Sequence, residues 1–166
     1  MTKGERDEAV RSYDDLVSFV DRVGECYLFK KGRHPRLWDM VKESDTTKRR
    51  GLLLAWSEAA HLRKELFLTV DETGGLMVVS RWKVPELIRA GSRTALSRGE
   101  ERLLGVLDHP MPTPELRKVA RMPEKSFEKS LIGLRSKFRI ALVGVKEEFG
   151  TRHVNLYDRL EKWYLS

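Results

Sequence analysis

The chain has 166 residues, 40% hydrophobic and 34% charged, which suits one domain with a full core or two small ones and excludes a disordered chain. Its longest apolar run, Leu52 to Trp56, is too short to cross a bilayer, and MTKGERDEAV carries no apolar leader, so no membrane partner and a cytoplasmic location are expected. A net charge of +7 favours a polyanionic partner, while a lone Cys26 and four scattered histidines exclude an internal disulfide and give no zinc-ligand spacing.

The apolar residues Val10, Tyr13, Leu16, Val17 and Val20 recur at helical spacing and predict a helix over 8–23, stopped by Gly24. CYLF (26–29) reads as a short buried strand and KKGRHP (30–35) as a loop. A short helix is expected to begin near Pro35, with the proline in its first turn, and to run through Leu37, Trp38 and Val41, followed by a long helix over 48–66 with Trp56 as an anchor. LFLTVDETGGLMVVS (66–80) alternates and breaks at DETGG, the pattern of a β-hairpin. A short helix over 85–90 and a linker at Gly91-Ser92-Arg93 follow, and the boundary between two modules is placed there.

In the second module Ser97 and Glu100 have capping-box spacing before the stripe Leu103, Leu104 and Leu107. Thr113 suits an N-cap and Pro114 the first helical position of a helix to Ala120; Arg121-Met122-Pro123 is the turn. Phe127, Leu131, Leu134 and Phe138 then share about 60° of arc at about 100° per residue. Lys125, Lys129, Gly133 and Ser136 lie opposite them, on the face expected to be outward. RIALVGV (139–145) reads as a strand, KEEFGTR (146–152) as a turn, HVNLYD (153–158) as a return strand, and 159–164 as a short helix.

Helix, short helix, tight turn, helix and two-stranded hairpin is the order of a winged helix-turn-helix, whose third helix enters the major groove. The expected fold is therefore α+β: a small N-terminal α/β module over 1–92, then a winged helix-turn-helix over 93–166. The charge agrees with that placement. Residues 93–166 hold 15 Lys+Arg against 10 Asp+Glu, and 117–139 alone hold eight against Glu124 and Glu128.

The reading that follows is a non-enzymatic protein that grips double-stranded DNA, as a transcription regulator or DNA-repair accessory. Lys125, Lys129 and Ser136 would face the groove, with Lys137 and Arg139 at the helix end. Lys146, Arg152 and His153 on the wing would contact backbone, and Arg117 and Lys118 flanking phosphates. Small Gly133 would let a nucleic-acid backbone approach. No Asn, Gln or Arg occupies the middle of that face, which favours grip over base readout. The alternative is an interaction or assembly module, and the N-terminal module is also a candidate for a protein partner.

FEKSLIGLRSKFRIALVGV and VNLYDRLEKWY resemble the C-terminal winged helix of the crosslink-repair DNA glycosylase-related family, with its "lkIVkvGV" strand and "YDLxERW" tail. VGECYLFKKGRHPRLWDMV is similar to that family's "vGfcflf…lPSLWeav" segment through Gly24, Cys26, Phe29, Pro35, Leu37 and Trp38. The resemblance spans about two-thirds of the chain and implies a DNA-associated fold. It also implies a Q-x-Q or Q-x-D motif that positions water at the glycosidic bond, yet this chain contains no glutamine. A divergent glycosylase is thus a third alternative without a catalytic residue.

No other catalytic constellation is read. Cys26 falls in an apolar strand, and His34 lies in a basic loop as a solvated residue or a phosphate contact. Asp14-Asp15, Glu100-Glu101 and Glu147-Glu148 have no metal-binding spacing. Trp38, Trp56, Trp82 and Trp163 are read as packing residues that could otherwise stack on bases. No catalytic residue, metal or other cofactor is assigned.

Overall fold

A computed structural model describes residues 9–148 and 152–166. It is mixed α+β, with two three-stranded antiparallel sheets among the described residues. Two compact units divide the chain: one runs to Leu68 and adds Gly75–Val84, the other comprises Thr69–Gly74 and Pro85–Ser166. No helix among the described residues is long and apolar enough to cross a membrane.

In the first unit, α1 (Tyr13–Val23) starts where the Ser12 hydroxyl accepts from the Asp15 N–H, and it stops at Gly24, whose φ of +86° suits only glycine. The expected helix was longer at its start; Glu8 lies outside the described residues. β1 (Glu25–Tyr27), α2 (Leu37–Met40), α3 (Thr46–Leu62), β2 (Leu66–Val70, whose last two residues fall in the second unit) and β3 (Leu76–Ser80) follow. The strands are ordered β1-β3-β2, with Cys26 opposite Val78. Leu16, Val20, Leu28, Leu37, Leu53 and Leu66 are fully buried, each worth roughly 1.5–3 kcal/mol of transfer free energy. β2 is buried at all five positions instead of alternating. Inside this core the His61 ring Nδ1 accepts from the Leu68 N–H (3.0 Å).

A 3-10 turn, Arg81–Lys83, leads into α4 (Val84–Ser92). Gly91, expected in a linker, instead occupies the last turn of α4. A Cβ there would meet the Lys137 carbonyl oxygen at 2.2 Å, so only glycine admits the approach. α5 (Arg98–Val106) begins with a complete capping box between Ser97 and Glu100. β4 (Met111–Pro112), α6 (Thr113–Ala120), α7 (Glu124–Ser136), β5 (Ile140–Glu148), β6 (Arg152–Arg159) and α8 (Leu160–Leu165) complete the second unit, with strand order β4-β6-β5. Its core gathers Leu103, Leu107, Leu116, Phe127, Leu134 and Ile140.

Three local expectations change. Thr113 does not cap α6: Pro112 holds the cap position, and the Thr113 hydroxyl donates to the Asn155 carbonyl (3.0 Å). α7 ends at Ser136, so Phe138 leaves the helical stripe and takes a left-handed φ of +55°. Lys146 to Glu148 extend β5 and Arg152 opens β6; the remainder of the expected turn, 149–151, lies outside the described residues.

Candidate nucleic-acid interface

α5, α6 and α7 form the frame. α6 closes on Arg121, a non-glycine residue held in the left-handed region (φ +50°), and Pro123 starts α7 with no side-chain cap. The chain therefore turns sharply through three residues, leaving the first N–H groups of α7 without a side-chain acceptor. Phe127 and Leu134 face the core, and Leu131 packs against it.

The other buried side of α7 faces α5, which changes the meaning of the presumed outward face. A Cβ on Gly133 would stand 2.0 Å from Glu100 Oε1, and one on Gly99 would stand 2.5 Å from Ser130 Oγ. Small residues on both helices thus permit close approach, and Gly133 is occupied by a helix contact. Glu100 is buried, closes its capping box, and is bound by Lys137 Nζ at 2.6 Å. Lys137 also donates to the Ala95 carbonyl (3.0 Å), and Arg139 Nη1 donates to the Gly91 carbonyl (3.1 Å). Ser136 is half-buried, with its hydroxyl on the Gly133 carbonyl (3.0 Å). These three side chains are engaged inside the second unit.

Lys118, Arg121, Lys125 and Lys129 are different. All four are exposed, and none has a side-chain partner among the described residues. Arg117 is exposed and 3.6 Å from Glu124, an ion pair too open to hold it firmly. Lys146 and His153 are exposed on the β5–β6 hairpin, with His153 in register opposite Glu147. Arg152 lies opposite Glu148, and its side chain falls outside the description. Arg121 is the residue that sequence reasoning left out. Its signal was its place in the turn, but only the backbone angle reveals that a cation sits where glycine would be easier.

The exposed side of α7 is bounded at its C-terminal end. Thr69 Oγ1 donates to the Arg135 carbonyl (2.9 Å), and Gly74 lies beside Ile132, where a Cβ would meet Cδ1 at 3.6 Å. Glu72 and Thr73 line the same groove as Lys125 and Lys129. The open part of the helix is therefore its first two turns.

No family model and no curated protein matches the chain.

The remaining candidates have ordinary surroundings. Cys26 is buried, and burial, aided by the charge of Glu25, pushes its thiol up to about 12. His34 uses both ring nitrogens: Nδ1 lies 3.4 Å from Glu25 Oε1, and Nε2 accepts from Arg33 Nε at 2.9 Å. Trp163 is buried, Trp38 and Trp56 pack against the first core, and exposed Trp82 donates from Nε1 to the Asp21 carbonyl (3.0 Å). No group of three His, Cys, Asp or Glu side chains among the described residues could hold a metal.

Proposed function

We propose that the second unit is a winged helix-turn-helix that grips duplex DNA without altering it. The observation that carries this reading is the set of exposed cations around the α6–α7 turn, Lys118, Arg121, Lys125 and Lys129, which have no side-chain partner among the described residues. Such charges neutralise phosphates and release counterions on binding. The start of α7 adds N–H groups and a positive helix end suited to a phosphate oxygen. The order α5, β4, α6, α7, β5, β6 supports the winged-helix reading, as does the family resemblance of 127–145 and 154–164.

Nine of the ten residues expected at the interface take the following roles, the side chain of Arg152 lying outside the described residues. Lys125 and Lys129 contact the duplex, Lys118 and Arg117 the flanking phosphates, and Lys146 and His153 the adjacent backbone. Lys137 and Arg139, just past α7, tie its end to Glu100, Ala95 and Gly91, while Ser136 bonds within its own helix. With no glutamine in the chain, the glycosylase chemistry implied by the resemblance has no residue to perform it.

Substituting Lys125→Glu together with Lys129→Glu is expected to abolish duplex binding in a gel-shift titration, with an unchanged circular dichroism spectrum. Retained binding by the folded variant would remove α7 from the interface.

A further inference from the structure

The first unit carries a charge concentration that the winged-helix reading does not use. Residues 29–50 hold eight Lys+Arg against Asp39, Glu43 and Asp45. Two aromatic rings organise part of it. Phe29 and Trp38 meet edge-on at 6.0 Å; the Arg50 guanidinium lies 4.7 Å from the Phe29 centroid and that of Arg49 lies 4.9 Å from the Trp38 centroid. Arg49 is also held by the Glu43 carbonyl through Nε (2.6 Å). Stacking on a ring orients a guanidinium while leaving its charge intact. Arg50, Lys31 and Lys48 are exposed, and none has a carboxylate partner among the described residues.

The position of three of these cations is costly. Lys48, Arg49 and Arg50 are the third to fifth residues of α3, whose first turn contains no acid. The helix dipole is positive there and disfavours Lys48 most, the effect fading beyond the first turn towards Arg50. By contrast α1 begins with Asp14 and Asp15, as the dipole prefers. The end of α3 is itself capped by Asp45, which accepts from the Lys48 N–H (2.9 Å), so the available surface is made of side chains. Ring stacking gives Arg49 and Arg50 a local reason to stand there, and a bound polyanion would offset the cost that remains for the exposed charges.

We propose that this segment, Arg50 stacked on Phe29 beside the Phe29–Trp38 pair together with the exposed Lys31 and Lys48 that flank these residues in sequence, is a second binding site for the phosphodiester backbone of nucleic acid. It stands independently of the reading of α7. An anionic membrane fits less well, because interfacial binding needs an apolar face beside the cations. Among the described residues the exposed large apolar side chains are Leu62, Trp82, Val119, Val145 and Leu165, none of them within 29–50.

The test uses the full chain, with fluorescence anisotropy on labelled duplex and single-stranded DNA across a salt series. Lys31→Ala with Lys48→Ala should reduce the slope of log Kobs against log salt by about 2, and adding Arg50→Ala by about 3 in all, on at least one of the two DNA forms. The double variant leaves both ring contacts in place, so it remains informative if the triple variant unfolds. Wild-type slope and affinity in the folded double variant would overturn the proposal. So would a loss confined to anionic phospholipid vesicles, or an absence of nucleic-acid binding by the wild type. If Lys125→Glu with Lys129→Glu leaves binding intact while the Lys31 and Lys48 changes weaken it, the α7 reading fails and this one stands.

Discussion

Arg121 is strained and exposed at once, which makes it the most informative single residue of the candidate interface. A non-glycine side chain in the left-handed region costs of the order of 1 kcal/mol, so Arg121→Gly should stabilise the protein by about 0.5–1 kcal/mol in urea unfolding. If the guanidinium contacts phosphate, the same change should weaken duplex binding and lower the salt slope by about 1. Opposite signs for stability and binding are the expected outcome; a parallel change in both would point to a structural role alone. Gly133 gives the complementary case. Glu100 is held by Ser97 and Lys137 and cannot yield readily to a Cβ at 2.0 Å. Gly133→Ala should therefore cost about 1–3 kcal/mol by overpacking the α5–α7 contact. Cys26 sets an alkaline limit. Its thiol keeps its proton in the folded chain up to about 12, against 9.0 in its unperturbed state. Between those values the unfolded chain binds fewer protons than the folded one, so this residue's contribution falls as pH rises, by as much as ~1.4 kcal/mol per pH unit. A Cys26→Ala variant should lack that part of the alkaline decline in pH-dependent urea melts.

At the scale of elements, α7 shows what periodicity can and cannot deliver. The inward residues Phe127, Leu131 and Leu134 were legible because a helix repeats its faces at a constant angle. The neighbour on the remaining arc was not, since an angle does not say which element will stand there. α5 occupies the arc of Gly133 and Lys137, and Thr69 and Gly74 border its C-terminal end. Gly133 thus moved from an imagined DNA contact to a helix contact, and the exposed basic surface contracted to the first two turns. Capping signals were uneven for a similar reason. Ser97 and Glu100 form a local motif that closes on itself, whereas Thr113 was diverted by a distant carbonyl, that of Asn155. The boundary of the groove also carries a prediction. Glu72 lines it beside Lys125 and Lys129, so Glu72→Gln should modestly strengthen duplex binding, chiefly at low salt, as read by anisotropy. Weaker or unchanged binding would place the duplex elsewhere.

For the molecule as a whole, the composition favours a polyanionic partner but gives no address for one. The net charge of +7 drew attention to 117–139, where the excess was densest in the second half. Within that window the structure engages Lys137 and Arg139 and leaves Lys118, Arg121, Lys125 and Lys129 open. Long-range pairing of a side chain with a backbone carbonyl leaves no mark in the sequence, and that is why charge counting overstated the site. In the first unit, the stacking between residues 29 and 50 becomes visible only when the rings and the helix start are in place. The central claim is that the cations of the α6–α7 turn hold duplex DNA. Its most direct measurement is equilibrium anisotropy of a random-sequence duplex with the wild type and the Lys125→Glu/Lys129→Glu variant at two salt concentrations. The account predicts tight, steeply salt-dependent binding by the wild type and its loss in a variant that remains folded. Equal affinity and equal salt dependence for the two proteins would contradict it.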